Sequence, residues 1–259
     1  MKKGFAILTL FLVLLTVGCG QDKLQNGKTT IAQINETKEV RIGVDPTIPL
    51  YSFVDKNGHL SGYDIDIMEE AAKRLGLHTK YYYANSDSLI AGLNSKRFDV
   101  TTGHIVITND KNKFDFSIPY KQTTTVIIQK KGQDEKINLS NLKGLGISLP
   151  ITSVYASIAN KYNMFVMQGD TFVNGILDVE KGKTKYMLFD KEVIDSVLAE
   201  NKIDDIEVGY TFPQQQSIGL MYRKGNDSLV QTFNKKLEEM KNDGTMKKLE
   251  DKWFQGKND

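Results

Sequence analysis

Residues able to do chemistry are sparse in this 259-residue chain. The three histidines, His59, His78 and His104, stand in unrelated contexts, and the single cysteine is Cys19. Zinc ligation needs ligands at short fixed spacings, and nucleophilic catalysis needs a nucleophile beside a base. Neither pattern is present, nor is a Gly-rich phosphate loop ending in Lys-Ser/Thr, so no metal site, catalytic residue or cofactor is indicated. What remains is charge placed at the ends of apolar runs. Asp45 closes VRIGVD, and Asp190 closes YMLFD directly before a helix with an apolar face. A carboxylate in such a place either caps the helix or reaches a ligand's ammonium group, and the sequence leaves both open.

The densest candidate stretch is FDVTTGHIVITNDKNKFDFSIPY, from Phe98 to Tyr120. Asp99 to Thr102 fit the end of a parallel strand, Gly103 lets the backbone turn, and Thr108 is placed to cap a short helix over Asn109 to Asn112. In an open α/β sheet, the loop leaving a strand's carboxyl end is where small ligands bind.

The elements that must position these residues alternate. Val40, Ile42 and Val44 read as a strand, and Asn57-Gly58 as a tight turn pairing Tyr51 to Val54 with the next strand. Ile65, Met68, Ala72 and Leu75 recur at helical spacing after Asp64 and Asp66, until Gly76 stops the helix. Thr79 to Tyr83 returns as a strand and Asp87 to Asn94 as a helix. Thr123 to Gln129 is a β-branched run leaving the first unit. A second unit repeats the pattern: strands at 145–148, 165–168 and 186–189, helices at 153–162, 171–180 and after Asp190. Ser217 to Tyr222 crosses back, and helices over 228–243 and 245–253, split by Gly244, end the chain. Alternating βα units predict parallel sheets with helices on both faces, and two crossings make the first unit discontinuous.

In order and spacing, VRIGVD, LSGYDIDIMEEAAKRLG, LIAGL and FDFSIPY resemble the bacterial extracellular solute-binding proteins of family 3, which feed polar amino acids to ABC importers. The resemblance runs from about Val40 to Trp253. It implies an α/β fold of two lobes, the type II periplasmic-binding-protein-like arrangement, with a hinge of two crossing segments. Lobe 1 would be 39–122 plus 219–259, and lobe 2 would be 125–217. It also implies a monomer that closes on a small-molecule ligand, an amino acid or a related compound, and partners that are a permease and its ATPase.

Site residues follow from the same resemblance. The arginine that clamps a ligand carboxylate in the family maps onto Lys111, which keeps the charge but lacks the planar fork. An exposed helix lysine is the plain alternative. Val106 stands where a hydroxyl is usual, beside Gly103 and His104. The acid for a ligand ammonium maps onto Asp190, so Lys111 and Asp190 are expected to face each other across the cleft. Asp45 keeps the family's residue type. The aromatic sandwich positions map onto Ile48 and Ser86, neither aromatic, with Tyr51 or Tyr83 close enough to substitute. The family's Gly-Thr-Thr loop reads Pro150-Ile151-Thr152-Ser153, and Thr152 and Ser153 can still cap a helix whose free N–H groups attract anions. These departures make the cleft more apolar and suggest a changed ligand. Two other readings on the same fold are a sensor that binds without transport and a cyclohexadienyl-dehydratase-like enzyme, for which Asp190 or His104 would be the general acid.

Composition and the leader complete the expectation. Hydrophobic residues are 40% and charged residues 25%, as in a soluble globular protein. The net charge of +2 comes from 34 basic and 32 acidic residues. Lys2 and Lys3 account for the excess, which argues against nucleic-acid binding. They precede an apolar run from Phe5 to Val17, too short to span a membrane, so residues 1–18 read as an export signal. Leu15-Thr16-Val17-Gly18 before Cys19 resembles a lipobox. It implies diacylglycerol and palmitate-type acyl chains on Cys19, a polar tether over 19–38, and a protein held by lipid on the extracytoplasmic face of the cell membrane.

Overall fold

The computed structural model describes residues 30–108, 112–133, 137–138, 140–150, 153–169 and 171–255. The chain opens with helix α1 (Thr30–Thr37), then β1 (Glu39–Val44) and a small antiparallel sheet of β2 (Thr47–Ile48), β3 (Ser52–Val54) and β4 (Leu60–Ser61). Helix α2 (Tyr63–Leu75) follows, with Asp64 and Asp66 in its first turn and Gly76 ending it at φ 65°, a left-handed conformation that glycine adopts without strain. Next come β5 (His78–Tyr83), α3 (Ser86–Asn94), β6 (Val100–Thr102) and β7 (Phe114–Phe116).

The chain then crosses on β8 (Lys121–Lys130) into the second unit. This comprises β9 (Gly146–Leu149), α4 (Val154–Lys161), β10 (Phe165–Gln168), α5 (Phe172–Glu180), β11 (Met187–Asp190), α6 (Lys191–Glu200) and the long β12 (Ile206–Ile218). It returns to finish with β13 (Met221–Arg223), α7 (Asp227–Asn242) and α8 (Thr245–Phe254).

Two lobes result. The sheet of lobe 1 runs β5-β1-β6-β13-β7, with β1 parallel to β5 and β6. Its return strand β13 is antiparallel to β6 and β7, so lobe 1 is discontinuous. In lobe 2, β10 lies parallel to β9, Ile147 bridges to Tyr186, and β11-β8-β12 form an antiparallel set. The parallel pairing expected of the βα units is present in β5-β1-β6 and in β9-β10, and antiparallel strands are added to it. Strands that carry the chain between lobes run against those that begin each βα unit.

The crossings lie side by side, Lys121 opposite Ile218, Gln122 opposite Ser217 and Thr123 opposite Gln216. The Lys121 side chain is largely covered at this seam, its Nζ 3.5 Å from Glu192 of lobe 2, 3.2 Å from Glu250 of lobe 1 and 4.6 Å above the Phe254 ring.

Helix α7 buries Leu229, Phe233, Leu237 and Met240, a single face at helical spacing. Each such side chain contributes about 1.5–3 kcal/mol by leaving water. The tether expected over 19–38 ends sooner than its polarity suggests, because Thr30–Thr37 is helical and docked. The Thr30 hydroxyl donates to Asn226 Oδ1 (2.6 Å) and accepts from the Arg223 guanidinium (3.1 Å), both buried. The helix expected over Asn109 to Asn112 falls largely outside the described residues.

Candidate functional site

The site is built where strands of lobe 1 end. Beyond β1, Asp45 is nearly buried; its Oδ1 accepts the Thr47 amide (3.1 Å) and hydroxyl (2.6 Å), and burial raises its pKa. Beyond β6, Gly103 and His104 take φ of 100° and 60°. At Gly103 a side chain has no room, since a Cβ would lie 2.8 Å from Ser52 Oγ. For His104 the left-handed backbone costs roughly 1 kcal/mol, so something must hold it. Asp64 does: its Oδ2 accepts the amides of Gly103 (3.0 Å) and His104 (2.5 Å). This carboxyl is wholly buried in the first turn of α2, and burial pushes its pKa up to about 6 against the opposing effect of those two hydrogen bonds.

From that turn His104 reaches into lobe 2. Its Nε2 meets Oδ2 of Asp190, while the Tyr155 hydroxyl donates to Oδ1 of the same carboxylate at 2.6 Å and lies 3.4 Å from His104 Nε2. Burial and the Asp190 charge raise the pKa of Tyr155, which keeps its hydroxyl a donor. An aromatic wall encloses the trio. Tyr51 meets the imidazole edge-on at 4.5 Å, Phe189 lies 5.0 Å away, and Phe172 stacks on Phe189 at 3.8 Å. Asp190 has no exposed surface. A buried carboxylate is costly unless paired, and here each oxygen has a donor.

Asp190 was expected either to cap a helix or to meet a ligand ammonium from the open cleft. It stands at the N-cap position of α6 but makes no capping bond from its side chain. Nor does it face the cleft: His104 and Tyr155 stand in front of it. The physical reason is that a residue 86 positions away in sequence supplies the donor. Its expected partner Lys111 lies outside the described residues, as do Ile151 and Thr152.

Between the lobes lies a cleft of about 960 Å³. Asp45, Ile48, Gly103, His104, Val106 and Ser153 all line it. Ser153 caps α4, accepting the Ala156 amide at 3.1 Å. Tyr51 does not line the cleft; it is fully buried behind His104, so it cannot stack on a ligand. Tyr83 is 52% exposed and borders a smaller cavity of about 350 Å³ that reaches Pro150 and Phe172. Ser86 begins α3.

Sequence reasoning missed Tyr155, Phe172 and Lys161, which line the cleft from lobe 2. Tyr155, two residues after a helix cap, was the one detectable signal. Among the described residues no group of His, Cys, Asp and Glu is clustered to hold a metal.

Two α/β lobes joined by adjacent crossings, with strand ends and a helix N-terminus facing one cleft, define a type II solute receptor. The family model for bacterial extracellular solute-binding proteins, family 3, matches residues 40–256, and the chain belongs to that family. It is 30% identical to the L-cystine-binding protein TcyA of Bacillus subtilis (strain 168), over 98% of both chains. Among solved structures, an ancestral arginine-binding protein bound to arginine superposes with a TM-score of 0.78 at 31% identity, covering 84% of this chain and 98% of that one. The ancestral amino acid-binding protein AncCDT-1, a precursor of cyclohexadienyl dehydratase, also gives 0.78, at 27% identity over 87% of this chain and 100% of that one.

Proposed function

We propose that the protein is the receptor subunit of an ABC importer. It captures an amino acid or related small solute between its lobes and presents the closed form to a membrane permease and its ATPase. The observation that carries this reading is the 960 Å³ cleft, lined from both lobes. A ligand touching both walls favours the closed form by its differential affinity for the two states. The resemblance to cystine-, arginine- and other amino-acid-binding proteins supports the solute class.

We read the protein as non-enzymatic. The two candidate general acids, His104 and Asp190, engage each other, and Asp190 is sealed from the cleft. Thermal scans of the purified protein against the proteinogenic amino acids, L-cystine and their carboxylic and amide analogues test the receptor reading. At least one should raise the unfolding midpoint by several degrees, as mass action requires of a saturating ligand. A flat response to the whole panel, with no turnover or binding found, would overturn it.

A further inference from the structure

Asp190 is shut away by two groups that both belong to the chain. His104 from lobe 1 and Tyr155 from lobe 2 line the cleft, and each engages one oxygen of the carboxylate behind them. The His104 side of this arrangement is built at a cost. A non-glycine residue is kept at φ 60°, and a buried acid, Asp64, is spent on holding its amide and that of Gly103. Backbone strain over-determined in this way points toward use.

Among the described lining residues no second acid is placed beside His104 as Asp190 is. Among the described lining residues the remaining carboxylate is Asp45, whose Oδ1 is engaged by Thr47. The cations among the described lining residues are Lys113 from lobe 1 and Lys161 from lobe 2, and the described walls between are largely aliphatic and aromatic, with Ile48, Val106, Phe116 and Ile158 among them.

We propose that His104 is a specificity-determining residue: it occupies Asp190 from within the chain, so the cleft takes a carboxylate-bearing solute with an apolar body and no ammonium group at Asp190. The same contact ties the two lobes together. This rests on the receptor reading above and narrows its solute class.

The test is complementation. His104→Gly suits a φ of 60° and opens a hole of imidazole size beside Asp190. Imidazole or methylammonium should raise the unfolding midpoint of His104→Gly, and should do so neither in wild type nor in the double variant His104→Gly/Asp190→Asn. Should His104→Gly prove too unstable to purify, His104→Ala serves in the same scans. Calorimetry with matched probes, hydrocinnamate against L-phenylalanine and isocaproate against L-leucine, reads selectivity. Wild type should bind each carboxylate at least as tightly as its amino acid, and His104→Gly should reverse the order by about tenfold, the scale of one charge-assisted bond.

Complementation reads Asp190 whether or not any probe binds. Rescue with no solute binding would sink the receptor reading and leave the occupancy of Asp190 standing. The proposal is overturned if the amines leave His104→Gly unmoved or stabilise wild type equally. A wild-type preference for the amino acids that His104→Gly abolishes would overturn it too.

Discussion

At Asp64, burial and hydrogen bonding pull in opposite directions, and burial wins: the pKa rises from an ordinary 3.8 to about 6. Between those values the folded protein holds a proton that the unfolded chain releases, so this group's contribution to stability is full below about pH 4. It is lost as pH rises toward 6. A shift of about two units corresponds to on the order of 3 kcal/mol. Asp64→Asn keeps an oxygen to accept the Gly103 and His104 amides but has no proton to lose. In urea melts, the stability of Asp64→Asn relative to wild type should therefore improve by about 3 kcal/mol between pH 4 and pH 7. An unchanged difference across that range would show that the carboxyl titrates normally.

The places of single residues in the fold were legible where strand ends and caps are local. Asp45, Gly103, His104 and Ser153 fall where their own neighbours in sequence put them. The partners of Asp190 were not legible. A hydrogen bond between residues 104 and 190 depends on how two lobes settle against each other, and no local pattern encodes that. Tyr51 was misread for the same reason; its burial comes from His104 and from Phe254, 5.3 Å away at the far end of the chain.

Among the elements, those with a clean period were the readable ones. Strand β1 and helices α2 and α7 match their expected spans to within a residue or two. Helix α1 was missed because TIAQINET is short and polar, and a helix of that length is marginal without tertiary packing. Strand β12 was read only at its end. Gly209, Pro213 and the run Gln214-Gln215-Gln216 break the alternation, and the pairing with β8 shifts register between Thr211 and Gln215.

One element contact supports a direct prediction. Phe98 is fully buried between β1 and α3, over Gly43 and Gly92, where a Cβ would lie 2.5 and 2.4 Å from its ring. Gly92→Ala should destabilise by about 1–3 kcal/mol through overpacking. Combining it with Phe98→Leu should recover part of that loss, since residues in contact do not act additively. Strict additivity in the double-mutant cycle would show that the ring moves aside freely.

For the whole molecule, the apolar leader and the lipobox-like run before Cys19 carry the expectation that lipid holds the protein at the membrane. No described helix is long and apolar enough to cross a membrane. The expected attachment is acylation of Cys19, and stable anchoring takes two or more chains. Cys19→Ala should move the protein from washed membranes into the soluble fraction. Retention of the variant on membranes would require some other attachment. Helix α1, docked on lobe 1 from Thr30, takes up part of the stretch that composition assigned to a tether.

The paired crossings bear on the order in which the chain acquires its shape. Lys121 lies opposite Ile218 and Thr123 opposite Gln216, so the second lobe leaves and rejoins the first at the spacing of neighbouring strands, about 4.8 Å. To lobe 1 the whole of lobe 2 is a loop of roughly ninety residues, and closing a flexible loop of that length costs about 4 kcal/mol of chain entropy. Folding lobe 2 first supplies that closure in advance. The returning strand β13 is then delivered next to β7 as though across a short hairpin, Met221 opposite Phe116, although the two are synthesised far apart.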